Sequence, residues 1–197
     1  HDSYITKDRS AWVDPDQEAQ GHQITQDWLE RSDQLGWYSY DYGSAYLVPR
    51  IYNTQLQENL QFAQANGLKF LFSEAMFSVD EGPKPHVFAM LYWDPQSSLD
   101  DLENRWYRKA VGEEAAPHLA AFYEVWEEIW TEDIPQSKWF EKCKNFTYLW
   151  FNSFDYLDGI PLQKLTVARE HLDNAWEAVQ HSGNANQIKR LEAIRKF

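Results

Sequence analysis

Residues 35–46 read LGWYSYDYGSAY and residues 66–77 read NGLKFLFSEAMF, with a run of helical spacing between them. Each stretch is a short apolar and aromatic strand candidate, at 36–42 and 68–73, that finishes on an acid. Asp41 closes the first and Glu74 the second. Two strands joined through a helix by short links predict parallel pairing, a β-α-β unit. In parallel α/β sheets ligands are met at the C-terminal ends of strands, so the two acids mark a candidate site.

The connecting helix is predicted over 53–66. Thr54 stands where a cap is needed, Leu56, Leu60 and Ala63 share one face, and Asn66-Gly67 supplies a left-handed stop. The mostly apolar 68–73 reads as a strand buried on both faces. Upstream, residues 1–21 are polar, with Asp14-Pro15 as a turn signal, and read as a loop; 24–31 can make about two helical turns. Downstream of Gly82, Pro83 and Pro85 the pattern turns helical. An apolar helix at 86–92 stops at Trp93-Asp94-Pro95, and Ser98 with Asp101 forms a capping arrangement before Leu102, Trp106 and Ala110. Further helical spacing covers 115–131, 137–156, 161–181 and 187–196. The first 95 residues therefore read as α/β and residues 96–197 as an all-α extension.

The chain has 197 residues, one cysteine (Cys143), six scattered histidines and a net charge of −13. A field that acidic disfavours nucleic acid, and no apolar stretch is long enough to span a membrane. One cysteine and no paired histidines leave no motif for a metal, and no cofactor is implied. The start HDSYITKDRS carries neither an initiator Met nor a secretory signal, which points to a processed chain or a fragment. Aromatics make up 16 % of the chain, enough to line a groove as well as a core.

Acids among aromatic rings suit a sugar, which offers apolar faces and a rim of hydroxyls. Glycosidases need two carboxylates about 5 to 10 Å apart, one of them with a raised pKa. Asp41 and Glu74 are the catalytic candidates, with Tyr40, Tyr42 and Trp93 as supporting sugar-binding aromatics. The plainer readings are a cap or loop anchor for either acid, packing for the tyrosines, and a core-covering turn for Trp93-Asp94-Pro95. Strand alternation sends Tyr38, Tyr40 and Tyr42 to one side and Ser39 and Asp41 to the other, so only one set can face a site. The acids at 124, 127, 128, 132 and 133 read as a solvated helix face, and Asn145-Phe146-Thr147 as a glycosylation triplet lost inside a helix.

The order of these elements resembles the C-terminal half of DUF4838-type glycoside-hydrolase-like proteins, a group that includes family 163 glycoside hydrolases. A strand reading like WDY or YDY is matched by residues 38–42, and a following loop proline by Pro49. An Asn-Leu-Arg-Phe-like helix core is matched by Asn59-Leu60-Gln61-Phe62, and an Asn-Gly-Val-Lys-Gly strand by Asn66-Gly67-Leu68-Lys69-Phe70. Leu91-Tyr92-Trp93-Asp94-Pro95 and then Gly112-Glu113-Glu114-Ala115-Ala116 complete the series. Phe70 replaces a small residue, and Ser73-Glu74 stands where the family often has Glu-Gln or Glu-Glu. The resemblance implies the last strands of a (β/α)8 TIM-type barrel with a helical extension, acting on a glycan substrate, N-acetylglucosamine-containing glycans among the candidates. It also implies an extracellular or periplasmic location and a barrel completed by an N-terminal segment of a longer parent chain, which would hold the main catalytic acid. The rival expectations are a non-catalytic carbohydrate-binding module and a helical protein-interaction module.

Overall fold

Gln34–Tyr40 forms a strand, and it is the middle one of three. The computed structural model describes residues 2–43 and 45–196. In it β1 (Asp2–Lys7), β2 (Gln34–Tyr40) and β3 (Phe70–Glu74) make one parallel sheet in the order β1-β2-β3. The register runs Lys7↔Ser39 and Ser39↔Ser73, so the three C-terminal strand ends lie side by side. Helix α1 (Pro15–Leu29) connects β1 to β2, and α2 (Asn53–Ala65) connects β2 to β3. Helices α3 (Lys84–Trp93), α4 (Leu99–Val111), α5 (Ala116–Glu128), α6 (Lys138–Cys143), α7 (Leu162–Ser182) and α8 (Ala185–Ile194) follow. The fold is thus α/β with a small parallel sheet and is mostly helical.

Residues 2–7 correct the loop expected over 1–21 (His1 itself lies outside the described residues). The segment is polar, but Ile5 and Thr6 are β-branched, and pairing with β2 supplies the hydrogen bonds that its composition does not announce. Asp14-Pro15 starts a helix rather than a turn. The Asp14 carboxylate accepts from the Gln17 amide at 3.0 Å, and Pro15 takes the first helical position, where its missing N–H costs nothing. The helix expected at 24–31 therefore begins at Pro15.

Helix α2 buries Leu56, Leu60 and Ala63, and Gly67 ends it at φ 77°. Thr54 does not cap it. Its amide donates instead to Glu127 of α5 at 2.7 Å, so a carboxylate from the helical half closes this N-terminus. That pairing takes Glu127 out of the solvated face expected of the acidic run, whereas Glu124, Glu128 and Glu132 are exposed as expected. Glu128, Glu132 and the half-buried Asp133 lie 3.2, 3.9 and 2.8 Å from the Lys164 ammonium.

The helix expected over 137–156 is cut to α6, with a short 3-10 turn at Asp155–Gly159. Between them the chain gives its backbone to the first strand. The Lys7 ammonium donates to the carbonyls of Lys144 and Phe146 at 2.7 Å each, the Asp8 amide donates to the Thr147 carbonyl at 2.7 Å, and the Leu149 amide donates to Asp8 at 3.3 Å. These bonds replace helical ones. Asn145 consequently sits in an exposed turn, not inside a helix, with its Oδ1 accepting from Gln17 at 2.8 Å.

Beneath the sheet, Trp37 packs with Trp12 and Ala63 against α1 and α2. A larger core joins Tyr42, Tyr46 and Ile51 to α4, α5, α7 and α8. The other face of the sheet is open: Phe70 is 37 % and Phe72 58 % exposed, against the expectation that β3 is buried on both faces.

Candidate functional site

Alternation along β2 sorts its side chains, and Trp37 shows which set lies under the helices. Its indole donates to Thr25 of α1 at 3.3 Å and meets the Trp12 ring edge-on at 5.2 Å. Ser39 and Asp41 share that side, so Tyr38, Tyr40 and Tyr42 take the other face, Tyr38 and Tyr40 half-buried and Tyr42 buried at its upper end. Their rings form a row, Tyr38 to Tyr40 at 5.4 Å and Tyr40 to Tyr42 at 5.6 Å, flanked by Phe72 at 4.9 Å from Tyr38. Tyr148 and Phe151, from the irregular stretch after α6, close the upper end against Tyr40 and Tyr42 at 5.5 and 5.2 Å.

Glu74 ends β3 on this open face. Its carboxylate accepts from the Tyr38 hydroxyl at 2.7 Å and from the Tyr42 hydroxyl through a short hydrogen bond. Those hydroxyls, Tyr42 first, hold the carboxyl below the usual glutamate range. The sequence reading expected rings to raise it. The rings that surround it are phenols, and each hydroxyl stabilises the charged form. Two of roughly four lone-pair positions are taken, and the side chain is half-buried, so the carboxylate retains acceptor capacity toward the open face.

Asp41 is built differently. It is 1 % exposed, and its oxygens accept from Ser39 at 3.1 Å, Tyr52 at 3.1 Å, Tyr92 at 2.9 Å and Ser73. Four hydroxyls fill its four acceptor positions and tie β2, β3, the start of α2 and α3 together. Asp41 and Glu74 are thus linked through the backbone, Asp41 amide to Glu74 carbonyl at 3.0 Å, while their carboxylates lie on opposite faces of the sheet. The structure does not bring them to a common cavity. Of the proposed aromatics, Tyr40 and Tyr42 flank Glu74. Trp93 is 88 % exposed at the end of α3, and among the described residues no ring contact joins it to the tyrosines; nor does it cover the core.

A third acid completes the series of strand ends, hidden in the sequence by the polar composition of the strand before it. Asp8 follows β1, is 1 % exposed, and binds Arg50 at 2.8 Å. Arg50 also donates to the Tyr42 carbonyl at 2.8 Å and to Ser10 at 2.5 Å, and its guanidinium lies 4.7 Å over the Tyr46 ring. The signal was available in the β-branched pair Ile5-Thr6 running into Asp8, as 35–40 runs into Asp41. Below the loop after β2, Glu81 pairs with fully buried Lys84, and a Cβ on Gly43 would run into the Glu81 carboxylate, so only glycine fits there. Arg9, 4.0 Å over the Trp37 ring, donates to the carbonyls of Ile5, Lys7 and Tyr38 beneath the sheet. Among the described residues no group of three His, Cys, Asp or Glu side chains is arranged to hold a metal ion, and no helix is long and apolar enough to cross a membrane.

A family described as "Domain of unknown function (DUF4838)" matches residues 3–124, which takes in all three strands and runs into α5. The chain belongs to the DUF4838 family. No curated protein and no solved structure matches it. The matched part of this DUF4838 chain contains Asp8, Asp41 and Glu74, whereas Tyr148 and Phe151, which close the open face, lie beyond it.

Proposed function

We propose that the chain is part of a glycoside hydrolase related to family 163, with the sheet as an arc of a (β/α)8 barrel and α4 to α8 as its helical extension. The observation that carries the reading is Glu74, a half-buried carboxylate at the C-terminal end of a parallel strand, held by two tyrosine hydroxyls on the sheet face where Phe72 is 58 % exposed. Sequential strand order with every connection helical is what a barrel arc requires. In this reading Phe72, Tyr38 and Tyr40 present ring faces to the apolar side of a sugar. Glu74 acts as an anion, as nucleophile, base or acceptor for a sugar hydroxyl, since a lowered pKa suits none of the work of a general acid. The general acid comes from another strand of the barrel, and Asp41 positions the strand ends from the helix side. N-acetylglucosamine-containing glycans are the first substrates to try, and an extracellular or periplasmic location belongs to the same reading.

The second reading is a carbohydrate-binding module without hydrolysis. It is favoured by one fact: Glu74 has no carboxylate partner on its face among the described residues. One experiment separates the two. The parent protein and its Glu74→Gln variant are assayed on aryl glycosides and N-glycans, with binding followed by tyrosine ring signals in NMR. Hydrolysis that falls by about two orders of magnitude or more in the variant supports the enzyme. Glycan binding without turnover leaves the module, and neither binding nor turnover rejects both.

A further inference from the structure

Away from the tyrosine face, α3, α4 and α8 enclose a cleft of about 430 Å³ lined by His86, Arg105, Trp106, Lys109, Ala110 and Arg190. Four of those six side chains are basic, in a chain that carries 31 acids against 18 lysines and arginines. No carboxylate among the described residues lies within 4.0 Å of Arg105, Lys109 or Arg190, although the adjacent Arg108 pairs with Glu113 at 3.2 Å. Like charges held together without counter-charge repel, so the arrangement favours an anion from outside. Arg190 is oriented for one. Its Nη1 donates to the carbonyls of Lys109 and Ala110 at 3.2 and 3.4 Å, which fixes the guanidinium at the end of α4 and leaves its other nitrogens free.

The floor is not charged. Trp106 is half-buried and packs edge-on against Tyr107 at 5.5 Å, which holds its indole in place. His86, half-buried in the first turn of α3, has its pKa pushed down by burial and by the charges of Arg105 and Lys109. It is therefore neutral at pH 7 and able to donate one hydrogen bond to an oxyanion. Nucleic acid and membrane surfaces are poor partners for a chain of net charge −13, since the basic groups occupy one cleft and not an extended surface. The volume suits a small molecule.

We propose that this cleft binds a tetrahedral oxyanion, the phosphate or sulfate ester of a small molecule whose body lies on the Trp106 indole. Guanidinium groups from two helices give forked, charge-assisted hydrogen bonds to such a group, and Lys109 adds a point charge.

The test uses the whole chain with inorganic phosphate, inorganic sulfate, glucose 6-phosphate, glucose 6-sulfate and glucose as probes, at about 0.15 M ionic strength. Binding is read from the histidine Cε1 resonances, with His86 assigned from the spectrum of His86→Gln. At least one ester should bind saturably and raise the His86 pKa, and the tighter of the two names the source. Arg105→Ala and Arg190→Ala should each weaken it about tenfold or more, while Lys69→Ala leaves it unchanged. All three side chains are exposed, and because Arg190 also ties α8 to the end of α4, unfolding curves must show each variant folded under the titration conditions before its affinity is compared. Absence of saturation up to about 10 mM ester overturns the proposal. So do arginine variants that bind like the parent, glucose binding as tightly as its esters, or inorganic ions binding as tightly as the esters.

Discussion

Replacing Glu103 by glutamine should stabilise the protein above neutral pH and change little near pH 4. Glu103 of α4 is half-buried against the start of α2, where it accepts from the Asn53 amide at 2.7 Å. Burial is the main cause that lifts its pKa to about 7; the Asn53 bond opposes the shift, and the charges of Glu127, Asp100 and Glu124 add to it. A second observation agrees. Asn53 is fully buried, and its Oδ1 has no hydrogen-bond partner, as expected where the facing group can only accept. A protonated Glu103 can donate to that oxygen while accepting from the Asn53 amide, closing a two-bond ring.

The sign follows from linkage. Between about pH 4.5, where the unfolded group titrates, and about pH 7, the folded chain keeps a proton that the unfolded chain has lost, so this group makes stability fall as pH rises through that window. The full shift corresponds to about 3 kcal/mol, and the solvent that reaches a half-buried group trims it to about 1–3 kcal/mol. Glutamine holds both hydrogen bonds at every pH. Urea unfolding of the parent and Glu103→Gln at pH 4.5, 6 and 8 should give curves that nearly coincide at the first and separate by about 1–3 kcal/mol at the last, the variant being the more stable. A gap that does not change with pH, or a variant less stable at pH 8, would refute the assignment.

Two further outcomes follow from the same network of buried charge. Asp8→Asn and Arg50→Met should each cost about 3–5 kcal/mol because each strands a buried partner, and the double variant should cost less than their sum; additive losses in a urea double-mutant cycle would show that the pair is not coupled. Tyr42→Phe should raise the Glu74 pKa toward the ordinary glutamate range, and Tyr38→Phe should do so to a smaller degree, both read from the side-chain carboxyl signal in NMR titration; an unmoved Glu74 would remove the tyrosines as the cause of its acidity.

What could be read in the sequence was whatever local pattern controls. The strands expected at 36–42 and 68–73 and found at 34–40 and 70–74, α2 with its Gly67 stop, the Ser98 cap on the Asp101 amide, and α4, α5, α7 and α8 follow from periodicity and capping. Long-range bonds decided the rest. β1 exists because β2 pairs with it, and residues 144–149 abandon the helix because Lys7 and Asp8 take their backbone groups. The face on which each acid lies was half-legible. Alternation separates Asp41 from the tyrosines, and Trp37, the bulkiest apolar side chain of the strand, shares the Asp41 side. Burying that indole under helices necessarily buries Asp41 with it, and the pairing of Asp41 with Glu74 could have been rejected on that ground.

The three strand-end acids form a sequence of support and not a set of equal candidates. Asp8 fixes Arg50, and Arg50 fixes the carbonyl of Tyr42. The Tyr42 hydroxyl then fixes Glu74. Asp41, saturated by four hydroxyls, binds the strand end from the opposite side and has no lone pair left to offer. From Arg50 onward each step toward β3 is less buried than the one before: Arg50 at 0 %, Tyr42 at 6 %, Glu74 half-buried. Charge that would be costly to hold at an exposed strand end is thereby oriented by groups that water does not reach, which is how a single carboxylate is kept in one position for a ligand. It follows that loosening Asp8 should disturb the Leu149 turn that it binds directly, and Glu74 through Arg50 and Tyr42, before it disturbs the contacts of Glu127 and Lys164.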